Sequence, residues 1–139
     1  MGEIKLRYQV DGGDLIQAGE ASSKMKMTLK KLGLPAEAIR RASICMYEGE
    51  INMVIHADGG RVEVDVGMDA ITLRLVDQGP GIPDVDQAME EGFTTAGDVA
   101  RDLGFGAGMG LPNMKRYSDE MYIDTTVGVG TTVTMKIKT

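Results

Sequence analysis

The sequence has 139 residues and a net charge of −6, with 42% hydrophobic and 26% charged residues. These values are typical of one globular domain, and the acidic balance argues against a nucleic-acid-binding protein, which needs a basic face. The sequence shows no apolar run of membrane-spanning length and no signal-peptide core, and its single cysteine fits a reducing compartment, so we expect a cytoplasmic protein without membrane contact.

Hydrophobic periodicity predicts an alternation of strands and helices along the chain. Strands are predicted at residues 3–10, 61–68, 70–76, 121–127 and 131–138. Helices are predicted at residues 15–32, 35–57 and 111–119, the first capped by Asp14 and ended by Gly33, and residues 58–60 are predicted to form a turn. This order predicts one α+β domain over residues 1–139, a two-layer sandwich with helices on one face of a mixed, mostly antiparallel sheet.

The predicted strand at residues 70–76 runs directly into Asp77, and two glycines and two prolines follow within six positions. Such a turn holds the carboxylate at the end of the strand, where it can lie at the mouth of a pocket. A carboxylate only accepts hydrogen bonds, so Asp77 suits an exocyclic amine such as that of adenine. Gly79 and Gly81 remove side chains where a flat ligand would approach the backbone, although an ordinary loop aspartate uses the same residue types.

The second predicted helix places Glu48 and Asn52 one turn apart on a face that also carries isoleucines, whereas Glu50 is predicted to be solvated on the opposite side. A carboxylate and an amide on an apolar face are costly unless they are paired or used. They either bond each other or nearby backbone, or they form a site in which Asn52 offers a carbonyl oxygen to Mg²⁺ and Glu48 accepts a proton.

A long irregular segment is predicted at residues 84–110, with only weak helical character around residues 85–90. Its glycine-rich end at residues 104–111 leads straight into the last predicted helix. Small residues let such a backbone wrap a ligand closely, and the helix amino terminus presents free N–H groups to anions. No Gly-Lys-Ser/Thr follows, so the segment is not a P-loop. Its position after the Asp77 turn and the Glu48/Asn52 pair is more specific than the glycines alone.

These features, in this order, resemble the GHKL family of ATP-binding domains, which have the Bergerat fold. The N box of that family, E-x-x-x-N, matches residues 48–52, and its first glycine box, D-x-G-x-G, matches residues 77–81. Its second glycine box, G-x-G-x-G-L, matches residues 106–111, and its closing G-T-T-V matches residues 130–133. Within the family the chain is most similar to the small bacterial anti-sigma-factor and switch-protein serine kinases, through residues 91–95, 108–116 and 131–136.

The resemblance implies that Glu48 is the general base acting on a serine hydroxyl of a STAS-type antagonist protein, and that Asn52 helps to hold Mg²⁺ with ATP. It implies that Asp77 reads the adenine amine, that Thr131 supports the adenine site, and that residues 84–110 form a lid over the triphosphate. A sigma factor or a switch protein as partner, and homodimerisation, are suggested by the resemblance alone. The implied ATP-binding residues are Asn52, Asp77, Gly79, Gly81, Ile82, Thr94, Gly104, Gly106, Gly108, Met109, Gly110, Leu111 and Thr131.

Two functions stay open on the sequence. One is a serine/threonine-protein kinase; the other is a nucleotide-dependent binding module that sequesters a sigma factor or another partner with little phosphoryl transfer. Glu48 favours the kinase, because a pure binder has no need of a base beside the metal ligand. Gly49 inside the N box costs about 1 kcal/mol relative to alanine, so it either serves close packing or loosens the base. We interpret the only histidine, His56, as a structural residue.

Overall fold

The computed structural model describes residues 4–12, 18–57, 59–90 and 110–139, and five strands and four helices form within them. The strands are β1 (Ile4–Asp11), β2 (Gly59–Val66), β3 (Ala70–Asp77), β4 (Glu120–Thr126) and β5 (Gly130–Lys138). The helices are α1 (Glu20–Lys31), α2 (Ala36–His56), α3 (Val85–Ala88) and α4 (Gly110–Tyr117). None of the helices in these described ranges is long and apolar enough to cross a membrane.

Alternating side chains give the sheet one buried face. The strand order is β1-β2-β3-β5-β4, and each neighbouring pair is antiparallel. Apolar residues on the inner face line up in rows across the strands, and α1, α2 and α4 pack against that face. The predicted α+β sandwich with helices on one face is therefore confirmed, with an antiparallel sheet throughout the described residues. The central rows are Ile71–Ile137, Leu73–Met135–Met121 and Leu75–Val133–Ile123.

Gly49 lets α2 lie directly on β3. A Cβ atom built at this position would overlap the Leu75 side chain and would lie 3.5 Å from the Met114 sulfur. Because Leu75 is 2% exposed and sits in the packed core, it has little room to move aside. The glycine therefore serves close packing between α2 and β3, the first of the two roles that the sequence left open.

The start of α1 differs from the prediction. The helix begins at Glu20, with Gly19 as N-cap in a left-handed conformation (φ 97°), so Asp14 is not its cap. Glycine adopts this backbone conformation without the steric penalty that a side chain would bring. Residues 13–17, which the sequence placed in or next to the first helix turn, lie outside the described residues.

The prediction that Glu50 is solvated is wrong. Its side chain is 3% exposed, and its carboxylate accepts hydrogen bonds from the backbone N–H groups of Gly19 (2.9 Å), Ala21 (3.2 Å) and Ser22 (3.0 Å). The first N–H groups of a helix have no partner within the helix, and the helix dipole favours a negative charge beside them. Glu50 does lie on the far side of α2 from Glu48, but α1 covers that side.

The remaining differences are small. Gly59 and Gly60 were predicted as a turn, but they belong to β2 and pair with Asp11 and Val10 of β1, because backbone hydrogen bonding to an existing strand edge extends the ladder. Asp58 lies outside the described residues. The weak helical character predicted near residue 85 is confirmed as α3, whose N-cap Asp84 accepts a hydrogen bond from the Gln87 N–H at 3.0 Å.

Glu50→Ala should destabilise the protein by about 3 kcal/mol, because three N–H groups at a buried helix end lose their acceptor. Glu50→Gln keeps one accepting oxygen and should lose less. Urea unfolding followed by circular dichroism measures both effects. The matched control is Glu37→Ala on the exposed side of α2, which should hardly move the midpoint. Equal midpoints for Glu50→Ala and the control would contradict the capping role.

Candidate active site

Asp77 ends β3 with one carboxylate oxygen occupied by the protein itself. Its Oδ1 atom accepts hydrogen bonds from the backbone N–H groups of Gly79 at 2.9 Å and Thr131 at 3.2 Å. Among the described residues, none donates a hydrogen bond to Oδ2. The two bonds fix the orientation of the carboxylate and leave Oδ2 as an acceptor for a ligand.

Asp77 belongs to a polar row that continues the buried face of the sheet. The register pairs Asp77 with Thr131, and Thr131 in turn with Thr125 of β4. The two threonine Oγ1 atoms lie 2.8 Å apart, and the Ile82 N–H donates to Thr125 Oγ1 at 2.9 Å. Thr125 is not among the residues predicted from the sequence. Its signal is the cross-strand register, which places it opposite Thr131 once the β4–β5 turn is fixed.

The two glycines of the Asp77 turn are required by the protein's own packing. A Cβ atom at Gly79 would lie 2.6 Å from the Cβ atom of Ala57, just after α2. Gly81 has a φ of 80°, and a Cβ atom there would lie 2.6 Å from the Thr126 carbonyl oxygen. The turn therefore packs tightly between the end of α2 and β4, and this packing fixes the distance of the turn from the polar row. Close approach of a ligand to these glycines stays a prediction.

A second cluster lies where α2 meets α4. Glu48 and Asn52 are half-buried one turn apart on α2, and the Asn113 side-chain amide donates to Glu48 Oε1 at 3.4 Å. Gly110, the first residue of α4, faces Asn52: a Cβ atom there would lie 2.9 Å from the Asn52 Oδ1 atom. The structure thus brings together Glu48, Asn52 and Gly110, three of the residues predicted for the site, and their roles stay a prediction. It adds Asn113, which lies in the resembling run at residues 108–116 but was given no role there, and whose contact with Glu48 follows from the packing of α4 on α2.

The surroundings of Glu48 make it a better proton acceptor. Burial raises the pKa of its carboxyl group above the ordinary 4.5, and the hydrogen bond from Asn113 opposes this rise. A carboxylate with a raised pKa binds a proton more strongly near neutral pH, as general base catalysis requires.

The donor set is compatible with magnesium brought in by a nucleotide. Among the described residues, no group of three or more histidine, cysteine, aspartate or glutamate side chains could hold a metal ion. Mg²⁺ in nucleotide sites is held by one or two protein groups, the phosphates and water. The Asn52 carbonyl oxygen, half-buried beside the amino terminus of α4, fits the role of a single protein ligand.

Seven further residues were predicted to bind ATP. Ile82 is half-buried and tied to Thr125 through its backbone, whereas Leu111 is 8% exposed with its side chain in the core. The other predicted lid residues lie outside the described residues, so their part in the site stays a prediction: Thr94, Gly104, Gly106, Gly108 and Met109.

The chain matches one protein-family model, described as histidine kinase-, DNA gyrase B-, and HSP90-like ATPase, over residues 39–139. That range contains the Asp77 turn, the polar row, and the cluster at Glu48 and Asn52. The chain belongs to this ATPase family. The family resemblance predicted from the N box and the two glycine boxes is thereby confirmed, and membership in the family implies that the chain binds ATP.

Individual members of this ATPase family are also similar to the chain. It is 33% identical over 108 residues to the serine/threonine-protein kinase RsbT of Bacillus subtilis. The aligned region covers 75% of this chain and 75% of RsbT. It is 31% identical over 103 residues to an anti-sigma F factor of Clostridium beijerinckii, covering 74% of this chain and 65% of that protein. An anti-sigma F factor of Geobacillus stearothermophilus is 33% identical over 101 residues, covering 73% of this chain and 62% of that protein. The chain thus spans somewhat less than two thirds of these anti-sigma F factors.

Asp77→Asn should weaken ATP binding by about 100-fold, because the amide replaces the accepting Oδ2 atom with a donor that opposes the adenine amine. Asparagine can still accept from Gly79 and Thr131, so the turn should persist. Calorimetric titration with ATP and Mg²⁺ measures the change. Asp124→Asn, on the exposed face of β4, is the matched control and should bind as the wild-type protein does. Unchanged affinity in Asp77→Asn would contradict the adenine role.

Proposed function

We propose that this protein is an ATP-dependent serine/threonine-protein kinase that phosphorylates a serine on a STAS-type partner and so regulates a sigma factor or a switch protein. The observation that carries the proposal is Glu48: a half-buried carboxylate with a raised pKa, one helical turn from Asn52 and in contact with α4. The similarity to RsbT, which is named as a serine/threonine-protein kinase, supports the same activity.

In the proposed reaction, the Asp77 row binds the base and the cluster at Glu48 and Asn52 acts on the phosphates and the serine. Asp77 and Thr131 hold the adenine, and the amino terminus of α4 lies beside Asn52 where the phosphates would be bound. The serine oxygen attacks the γ-phosphorus, and the bond between that phosphorus and the β–γ bridging oxygen breaks, so ADP leaves with the electron pair. Glu48 accepts the proton of the serine hydroxyl. Mg²⁺, when bound at Asn52, would neutralise negative charge on the phosphate oxygens.

The alternative is a binding module that holds a sigma factor and transfers little phosphate, in line with the names of the anti-sigma F factors. Such a module needs the nucleotide and the partner surface but no base. A half-buried carboxylate beside an amide donor loses part of its hydration, which costs free energy. Such a cost is expected where the carboxylate has to accept a proton. The geometry around Glu48 therefore favours the kinase.

Glu48→Gln should lower phosphoryl transfer by about 100-fold or more, because the amide cannot accept the proton of the serine hydroxyl. ATP binding should change little, since Glu48 is not assigned a contact with the nucleotide. The experiment incubates the protein with labelled ATP, Mg²⁺ and a purified STAS-domain protein, and locates the phosphate by mass spectrometry. Glu37→Gln, exposed on the same helix, is the control. Equal transfer rates in the wild-type protein and Glu48→Gln would exclude Glu48 as the base.

The transfer rate should depend on pH through Glu48. The carboxylate is active when deprotonated, and burial holds its pKa above 4.5, so the rate should be full above this raised pKa and fall as the pH drops through it. Asn113→Leu removes the hydrogen bond that lowers this pKa, so the acidic limb should move to higher pH. Initial rates across the acidic range test this. An acidic limb at the same pH in both proteins would contradict the contact.

A further inference from the structure

An ion pair joins α2 to the chain that follows α4, and it takes no part in the motifs or in the reaction described above. Asp119 lies between the end of α4 and the start of β4. Its Oδ2 atom accepts hydrogen bonds from Arg41 Nη1 at 3.0 Å and from the Lys138 backbone N–H at 2.7 Å. Arg41 also donates from Nη2 to the Lys138 carbonyl oxygen at 2.8 Å. This junction therefore connects α2, the carboxyl-terminal end of α4, and the end of β5.

We propose that Arg41 and Asp119 are positioning residues, which fix the place of α4 along α2 and thereby keep Asn113 on the carboxylate of Glu48. The inference deepens the proposed function and rests on it only in taking Glu48 as the base. The placement of α4 itself is argued from contacts within the protein.

One stripe of α2 makes contacts with α4 and the residues after it. Its members recur every three or four residues, which places them on one side of the helix: Arg41, Cys45, Glu48 and Asn52. Their partners follow in the reverse order along the chain: Asp119, Met114, Asn113 and Gly110. The two helices are therefore antiparallel, and a shift of α4 along α2 would disturb all of these contacts together.

The lengths of these contacts indicate which of them sets the position of α4. The Asn113 amide lies 3.4 Å from Glu48 Oε1, beyond the usual range for such a bond, and the Cys45 thiol is a weak donor 3.6 Å from its acceptor. The bonds to Asp119 are short, and the carboxylate makes them charge-assisted. Apolar packing of α4 in the core is non-directional and leaves its position along α2 open. We therefore expect the junction to hold α4, and Asn113 to follow it.

Helix α4 is short enough to move as one body. Its eight residues span about 12 Å, and Asn113 lies near its middle. A displacement at the carboxyl-terminal end should therefore reach Asn113. The group that α4 presents to Glu48 is this uncharged amide, whose hydrogen bond opposes the rise that burial causes in the pKa of Glu48. Loss of the junction should therefore raise that pKa further.

Position and charge predict opposite effects for Asp119. If only its negative charge acted on Glu48, removing that charge would lower the pKa of Glu48. If Asp119 acts by holding α4, removing it should raise the same pKa. Removing the positive charge of Arg41 raises the pKa on either ground. Asp119→Ala is therefore the variant that decides between the two.

The neighbouring titratable groups leave the acidic range clear for this measurement. Cys45 and Tyr47 couple electrostatically to Glu48, but burial raises the pKa of the Cys45 thiol to about 12 and that of the Tyr47 hydroxyl above 10. Both groups are therefore neutral at acidic pH. The backbone N–H from β5, and then Arg41, hold the pKa of Asp119 below 3.8. Because the pKa of Glu48 lies above 4.5, it can be measured while the junction stays charged.

The test follows the Glu48 carboxyl group by carbon-13 NMR in protein labelled at the glutamate side-chain carboxyl carbon, without nucleotide or partner. The signal of Glu48 is identified by its absence in Glu48→Gln. In Asp119→Ala we expect the pKa of Glu48 to rise, as in Asn113→Leu. Asp119→Asn keeps an acceptor for the N–H from β5 and should give a smaller rise; it carries the test if circular dichroism shows that Asp119→Ala is unfolded. Asp124→Ala, on the exposed face of β4, is the matched control and should leave the pKa unchanged.

Combining Asp119→Ala with Asn113→Leu tests whether the effect passes through Asn113. The double variant should have the same Glu48 pKa as Asn113→Leu alone, because the contact is already lost. An equal rise in the presence and absence of Asn113 would overturn this route. An unchanged or lowered pKa in Asp119→Ala would overturn the positioning role.

Phosphoryl transfer to a STAS-domain protein separates this inference from the proposed function. The acidic limb of the transfer rate should move to higher pH in Asp119→Ala, together with the pKa measured by NMR. If the pKa rises as expected but the wild-type protein transfers no phosphate, the kinase proposal fails and the positioning role stands. If the pKa rises but the acidic limb stays in place, Glu48 is not the base, and the role of the junction in placing α4 again stands.

Discussion

The register of the antiparallel sheet is the constraint on which the rest of this structure depends. It aligns Leu75, Val133 and Ile123 in one buried row, and two residues further along the same strands it aligns Asp77, Thr131 and Thr125. The polar row is thus the continuation of the hydrophobic core, with carboxylate and hydroxyl groups in place of methyl groups. A slip of one residue would turn both rows to the solvent face together. The stability of the core and the geometry of the Asp77–Thr131–Thr125 row are therefore specified by the same hydrogen bonds.

Helix α2 meets different neighbours on three of its sides within five residues. Glu48 and Asn52 face α4, Gly49 lies on β3, and Glu50 holds the amino terminus of α1. Each polar group has a partner of matching chemistry, so none is buried at the full cost of lost hydration. A rotation of the helix would place a carboxylate against Leu75 or leave the first turn of α1 without an acceptor. The orientation of Glu48 and Asn52 is therefore held by contacts on the other sides of the helix, with β3 and with α1.

Much of the fold could be predicted from periodicity, because alternation marks strands and turn residues mark their ends. Strand bounds agreed within one or two residues, and the N box and first glycine box identified the family. The error at Glu50 shows the limit: a helical wheel gives the direction of a side chain, but it does not show which neighbour covers that side. Thr125 and Asn113 were missed for a related reason. Each acquires its role from a residue on another element, Thr131 or Glu48, and sequence spacing does not encode that proximity.

The bond between Glu50 and α1 has a consequence for how the protein opens. The first turn of a helix usually frays independently, since its N–H groups bond only to a local cap or to water. Here Gly19 supplies no side-chain cap, and the acceptor comes from a residue 31 positions away in the chain. The first turn of α1 is thereby joined to the middle of α2, so we expect the amide protons bonded to Glu50 to exchange with solvent when the two helices separate. Helix α1 and helix α2, which carries Glu48 and Asn52, should therefore open together as one cooperative unit.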